Sequence, residues 1–565
     1  MLKHSGRKQK VSATTDNETL ETLIDIYIKD LLETFPIVGT ACGLHAYDGQ
    51  LPDTSASAFR NRILQLKEFR ERVRISPLSP DDKENRFDHE LLLHCIDKEL
   101  FSLEEMREHE ISPLYYGGLT DVSAYIKRDY APLEQRLEMV VQHLEKLPKA
   151  LTQGLENLEM ALSRPALETA LEMFKGIITY LEGDVTAQFV ELNNATLTAQ
   201  YTAACRKAVE AINNYIDGLE KRLPLSHTNF AIGAERYRRM LFFGEMVGLP
   251  LEELFEVGQQ NLRDTQELLR VACQKFAPGL TVQEAMAKMA RHHPTPESII
   301  ADTTAKLEEV RQFLIQHNII SVPSEVRCIV AETPPFMRWA FAFMDTPGAF
   351  EEVATQAYYY ITPVETHWTA QQKEEWLTNF DYFTLQDVSI HEAYPGHYLH
   401  YMHFKLLNNR LRRMLWSANY CYSFVEGWAH YTEQMMIEEG YGADDPRYQM
   451  SQLSEALLRN CRYVVSIMMH TQGMSVEDAT RFFMDNAYME ETPAVSEARR
   501  GTFDPGYLNY TLGKLLILKL REDYKKEKGD AFNLREFHNQ LLAYGAPPIP
   551  LVKTMLLNHN NGELL

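Results

Sequence analysis

A chain of 565 residues with 45% hydrophobic and 24% charged side chains has the makeup of a soluble globular protein with a large core. Its net charge of -22, with no long basic run, argues against a nucleic-acid partner. Seven scattered cysteines form no close pair, which excludes a redox dithiol or zinc knuckle and fits reduced core thiols.

Residues 1–14 read as a flexible tail, basic but with no apolar stretch behind it, so neither a secretory nor a lipoprotein signal is expected. The apolar runs are too short to span a bilayer. Cytoplasmic residence without a membrane partner is the resulting expectation. Thr15, Asp16, Asn17 and Glu18 have capping-box spacing, and Leu20, Leu23, Ile24, Tyr27 and Leu31 follow at the intervals of an amphipathic helix. Similar segments cover 56–74, 85–108, 120–147, 150–166, 168–186, 188–221, 231–246, 250–275, 282–291 and 301–317. Strand signal is confined to Glu325–Val330 and Gln356–Ile361, which are rich in β-branched and aromatic residues. Tyr358–Ile361 reads either as core or as a strand edge open to an extended peptide. Helical patterning resumes over 380–400, 402–438, 451–472, 475–488, 507–528 and 533–543.

These elements predict a mainly α fold: one compact body over 15–565, two-lobed, with a small β-sheet beside a central cleft. The chemistry concentrates in a metal-site core at 325–435, with contributions from 460–515.

The segment SIHEAYPGHYLH supplies His391, Glu392 and His397, and FVEGWAHYTEQM supplies Glu426, His430 and Glu433. Two imidazoles and a carboxylate are common ligands of a catalytic zinc, and Glu392 is placed like a metallopeptidase base. His391 and His397 are six apart, about 240° around a regular helix, so they share one ion only where the helix is broken or expanded. Pro395 cannot donate to the carbonyl of His391, and Gly396 frees the backbone, so a local bulge is expected to return His397 to the face of His391. Glu426 completes the set from a second helix, and Gly427 is expected to let that helix approach the histidine helix. His430 and Glu433 are expected to orient the imidazoles. A buried polar network without a metal is the competing reading, and His400 and His403 supply alternative ligands.

The motifs His391-Glu392-Ala393-Tyr394-Pro395-Gly396-His397, Glu426-Gly427-Trp428-Ala429-His430-Tyr431-Thr432-Glu433 and Pro505-Gly506-Tyr507-Leu508-Asn509-Tyr510-Thr511-Leu512-Gly513 resemble those of the bacterial proteins grouped as domain of unknown function 885. That family in turn resembles helical zinc metallopeptidases. Smaller similarities at Leu51-Pro52-Asp53, Glu332-Thr333-Pro334, Arg462 and His470 extend the likeness nearly end to end. The resemblance implies one Zn2+ held by His391, His397 and Glu426, with Glu392 as base; two imidazoles and a carboxylate do not select zinc by composition, so another divalent ion is the alternative. Departures from the pattern are His400 and Tyr507 where Gln is usual, and Ser466 where Asp is usual.

Other roles follow with that likeness. Tyr510 is a candidate hydroxyl donor to a developing oxyanion. His470 is a catalytic candidate that either donates to substrate or closes a buried network. Arg462, Arg499 and Arg500 are candidates for substrate or supporting contacts, the last two either pairing with a peptide carboxylate or forming a solvated pair. The leading function is zinc-dependent cleavage of short peptides. Hydrolysis of a non-peptide amide or ester, and a non-catalytic helical scaffold, are the alternatives.

Overall fold

The computed structural model describes residues 18–334, 337–338, 340–418, 421–559 and 562–565. The expected tail and Thr15–Asn17 of the expected capping box lie outside the described residues. The first helix, Leu20–Thr34, is capped by Thr19, whose hydroxyl accepts from the Thr22 N–H. It buries Leu20, Leu23, Ile24, Tyr27 and Leu31, the periodic set.

The fold is mainly α. Helices Ala56–Arg74, Leu251–Phe276, Val282–Ala290 and Val476–Ala487 fall within a residue or two of their periodic segments. The reading of 120–147 and 150–166 as two helices is corrected. One helix runs from Leu133 to Asn157 straight through Pro148, and its start is set by Pro132. The Pro148 carbonyl accepts from the Thr152 hydroxyl, and the helix buries Leu137, Val140, Val141, Leu144, Leu147 and Leu151 along one stripe. Packing of that stripe outweighs the lost backbone bond.

Among the described residues, two buried apolar clusters organise the fold. One draws on residues from Leu20 to Leu557 and includes the segments around His391 and Glu426. The other lies within Tyr116–Leu219, built on the helices Leu133–Asn157, Arg164–Tyr180 and Ala195–Glu220.

The sheet has three short strands: β1 (Ile329–Glu332), β2 (Ala342–Asp345) and β3 (Tyr358–Ile361), in the order β1-β3-β2. β1 runs parallel to β3, with Ile329 beside Tyr358, and β2 runs antiparallel, with Met344 beside Tyr359. β3 is therefore the central strand. Its backbone is engaged on both sides, so the expected peptide-binding edge at Tyr358–Ile361 is corrected. The edges are β1 and β2.

The sheet and the second cluster meet at Asp345, the buried last residue of β2. The Arg128 guanidinium donates to its carboxylate at 2.6 Å, and Lys127 pairs with it at 3.0 Å. On the other side, the Tyr359 hydroxyl lies 3.3 Å from the Ser389 hydroxyl, tying the sheet to the segment that carries His391.

Candidate metal centre

Five helices and one strand build the site. The first helix, α1 (Tyr382–Glu392), is capped by Asp381 and ends on the His-Glu pair; α2 (His397–Phe404) begins on the second histidine. Next come α3 (Tyr422–Glu438), α4 (Pro446–Thr471) and α5 (Asn509–Lys528).

Between α1 and α2 the helix is broken, not bulged. The Gly396 N–H donates to the Ile390 carbonyl at 2.9 Å, and the Leu399 N–H donates to Ala393 at 3.1 Å. Each bond spans six residues and folds the chain back on itself. A Cβ at Gly396 would lie 1.7 Å from the His391 carbonyl oxygen, so this return has room only for glycine. The indole N–H of Trp428, from α3, donates to the Pro395 carbonyl at 2.9 Å and pins the return in place.

The return brings the two imidazoles together, with ring centroids 4.8 Å apart and planes at 88°. His391, Glu392 and His397 each offer a donor atom, and these atoms lie within 4.8 Å of one another, a cluster suited to a divalent metal ion. Glu426 faces the same point. Its Oε2 is 3.5 Å from the His391 Nε2 and 3.6 Å from the His397 Nε2. Ligands about 2.0–2.1 Å from a tetrahedral zinc stand about 3.3–3.4 Å apart. Both nitrogen–oxygen separations are close to that spacing. Glu426 is held well below the usual carboxylate range: burial pushes it up, but His397 and His391 outweigh that.

Glu392 lies beside this point, with its Oε2 accepting the Met344 N–H of β2 at 2.9 Å. That bond faces away from β3 and fixes the carboxylate from the sheet edge.

Behind His391 stands Glu433, fully buried. It accepts from the His391 Nδ1 at 2.6 Å and from the His430 Nδ1 at 2.9 Å, and pairs with Arg459 at 3.3 Å. A carboxylate on Nδ1 leaves the Nε2 of His391 facing the cluster, the arrangement that orients metal-binding histidines elsewhere. Glu433 is pushed up by burial, but Arg459, His430 and His391 bring it well below its ordinary range. His430 touches Glu433 and is driven down to about 3, by burial first and then by Lys514.

Tyr510, in the first turn of α5, lies over the same region, its ring centroid 6.5 Å from that of His391. Arg462 pairs with Glu497 through two bonds of 2.7 Å, and its guanidinium sits 5.3 Å from the Tyr510 ring. Arg500 pairs with Asp504 at 2.9 Å and donates to the Tyr422 hydroxyl at 3.0 Å.

Several expected site residues are not brought here. Arg499 is exposed and lines a cavity of about 550 Å³ with Arg164, Phe230 and Met469. Arg500, the next residue, leaves the helix about 100° away and is engaged by Asp504 and Tyr422 instead. His470 is corrected as a catalytic candidate: its Nε2 donates to the Gly501 carbonyl at 2.7 Å and its ring stacks on Tyr237. His400 and His403 bond the carbonyls of Gly545 and Ser321, so neither is an alternative ligand. Gly427 does permit a close approach, but to α5: a Cβ there would meet the Gly513 Cα at 2.4 Å. That contact sets Glu426 and Tyr510 on adjacent turns of two touching helices.

Four residues that sequence reasoning did not single out also belong to the setting: Arg459, Asp387, Tyr422 and Glu245. Asp387 is four before His391, and Tyr422 is four before Glu426, a spacing that puts each pair on one helix face. Asp387 is buried and pushed well up, by burial first and then by Glu433 and Glu455.

A family model described as bacterial protein of unknown function (DUF885) matches residues 36–556, and the chain belongs to that family. No curated protein matches it. Among solved structures, "a putative lipoprotein of unknown function from Shewanella oneidensis" is similar with a TM-score of 0.82 at 22% identity, covering 96% of this chain and 100% of that one. "The putative lipoprotein from Colwellia psychrerythraea" is similar with a TM-score of 0.80 at 19% identity, over 95% of this chain and 98% of that one. These likenesses show a shared fold. Their lipoprotein descriptions overturn the expectation of cytoplasmic residence without a membrane partner. That expectation leaned on reading no secretory or lipoprotein signal in the first residues and on the lack of spanning segments. Among the described residues no helix is long and apolar enough to cross a membrane, but a lipid anchor requires none.

Proposed function

We propose that this DUF885 chain is a zinc-dependent hydrolase of peptide bonds in short peptides, with the ion held by His391, His397 and Glu426. The observation that carries the reading is the approach of one Glu426 oxygen to both imidazole Nε2 atoms, at 3.5 and 3.6 Å, with Glu392 alongside. An ion bound there supplies Lewis acidity to a substrate carbonyl and lowers the pKa of water.

The remaining work falls to the chain's own groups. Glu392 has one oxygen engaged by the Met344 N–H, which leaves the other to take a proton from the attacking water and return it to the leaving amine. Glu433 holds His391 through Nδ1. Tyr510 donates its hydroxyl to the oxyanion that forms on the tetrahedral carbon. The body over 15–565 acts as two lobes around a cleft that takes unfolded, short substrates. The lipoprotein descriptions of two similar structures favour a membrane-associated location over the cytoplasm.

A defined library of short peptides, digested with and without prior chelation and read by mass spectrometry, tests the reaction. Cleavage that chelation abolishes and zinc restores is expected. Turnover of esters or non-peptide amides with no peptide cleavage would replace the substrate class, and no turnover of any of them would remove the hydrolytic reading.

Proton release provides a second check. Burial disfavours a charged His391, but the Glu426 and Glu433 carboxylates outweigh it and raise the imidazole to about 10. Without an ion His391 is thus protonated at pH 7, whereas a ligand must be neutral. Ion entry should expel about one proton, and apparent affinity should rise with pH between 7 and 10. Calorimetric titration in buffers of different ionisation enthalpy measures this, and zero proton uptake by the buffer would contradict it.

A further inference from the structure

Three arginines stand around Tyr510 and Tyr422, and their hydrogen bonds tell them apart. A guanidinium is planar and carries five N–H groups: its side edge offers Nε and one Nη, and its end offers one N–H from each Nη. Arg459 spends both Nη atoms inside the protein, Nη1 on Glu455 at 3.1 Å and Nη2 on Glu433 at 3.3 Å. Arg500 gives Nε and Nη2 to Asp504 at 3.0 and 2.9 Å, and Nη2 again to the Tyr422 hydroxyl at 3.0 Å. Neither keeps the paired end. Arg462 does: Glu497 takes its Nε and Nη2 at 2.7 Å each, which leaves the second Nη2 proton and both Nη1 protons without a partner among the described residues.

That end belongs to a largely buried side chain, 11% exposed. A charged donor in such a place is costly without an acceptor, and two oxygens in one plane would satisfy it. Its position is fixed. Arg459 and Arg462 share one face of α4, with Arg462 about 4.5 Å further along the axis than the residue that holds Glu433. The Arg462 guanidinium lies 5.3 Å from the Tyr510 ring centre, which lies 6.5 Å from that of His391. About three residues of extended chain would cover that whole path. Glu245 holds the helix start that carries Tyr510: its buried carboxylate accepts the Tyr422 and Ser423 N–H groups at 3.2 and 3.1 Å and the Asn509 side-chain amide at 3.3 Å, tying the starts of α3 and α5 together.

We propose that the open end of Arg462 binds the C-terminal α-carboxylate of the peptide, so that cleavage falls within about three residues of the carboxyl end. The proposal rests on the hydrolytic reading above and narrows it to trimming from the carboxyl terminus. A carboxylate matches the two parallel N–H groups of that end, and a low local dielectric strengthens such a charge-assisted pair. Glu497 keeps the fork from turning and offsets much of its charge, so recognition depends on the paired hydrogen bonds. The carboxylate that the sequence offered to Arg499 or Arg500 thus goes to a third arginine.

The test takes the full-length, zinc-loaded protein and the best-cleaved peptide of the library in three forms: free acid, C-terminal amide, and C-terminal amide with aspartate as the last residue. The amide turns an N–H toward the fork and is expected to lose about 10- to 100-fold in kcat/KM, mainly through KM. Calorimetry of the same peptides on metal-loaded Glu392→Gln reads binding apart from turnover, and the free acid should bind about 10- to 100-fold more tightly there. On both backgrounds the acid-to-amide ratio should fall towards one with Arg462→Met. It should fall only part of the way with Arg462→Lys, which keeps a charge facing Glu497 but has no fork. Melting temperature and metal content are checked for each variant, and if Arg462→Met does not fold, Arg462→Lys and the wild-type comparison decide. Equal handling of acid and amide by the wild-type protein, or cleavage sites counted from the amino end, would overturn the proposal and leave the hydrolytic reading standing. A ratio that both Arg462 variants leave unchanged would do the same. Full recovery with the amide that ends in aspartate would put a side-chain carboxylate at the fork and overturn it too. No turnover of any form would defeat the hydrolytic reading, and the proposal with it.

Discussion

Glu392→Gln is expected to keep one ion per chain and to lose about 10²-fold or more in peptide turnover. The amide is nearly the same shape as the carboxylate, and its oxygen can still accept the Met344 N–H that Glu392 accepts at 2.9 Å. The contact with the sheet edge therefore survives, and the three expected ligands are untouched. What disappears is a group able to take a proton from water. The measurement is kcat on a cleaved peptide at matched metal content. Unchanged turnover in a metal-loaded variant would remove Glu392 from the role of base.

Gly396→Ala is expected to do more damage than its single methyl group suggests. The new Cβ would stand 1.7 Å from the His391 carbonyl oxygen and 2.5 Å from that of Ile390, both backbone atoms of α1. No side-chain rotation relieves such a clash, so the return between α1 and α2 must open. His397 then leaves the point it shares with His391 and Glu426. A stability loss of about 3 kcal/mol or more is expected, at the upper end for overpacking. Metal affinity should fall at least as far as the 10- to 100-fold typical of a disturbed supporting shell. Thermal melting and metal content, read together, check this. A variant with parental melting temperature and full metal content would mean that the return does not set the site.

The readable parts of this chain are those where one segment decides its own structure. Ala56–Arg74 and Leu251–Phe276 announce themselves through apolar periodicity over several turns. The Pro395-Gly396 pair between two histidines signalled an interrupted helix for the same local reason. Long-range pairings were not readable. β2 is four residues long with no alternation to mark it, and the central place of β3 depends on strands 13 or more residues away in sequence. Pro148 reads as a boundary because propensity is local, whereas the stripe it belongs to is buried by another part of the fold. In the site, His391, His397 and Glu426 stood out through residue type and spacing. Arg459, Glu245 and the break of Arg499 from Arg500 did not, since each depends on which helix faces which. Asp387 and Tyr422 were within reach of inspection at four-residue spacing from His391 and Glu426.

The central claim is that His391, His397 and Glu426 hold one ion between them. Elemental analysis of the protein purified from zinc-replete cells without added metal, beside His397→Ala prepared in the same way, tests it most directly. About one zinc per chain in the parent and little in the variant is the result expected from three converging ligands. No metal in either protein, or equal metal in both, would contradict the account.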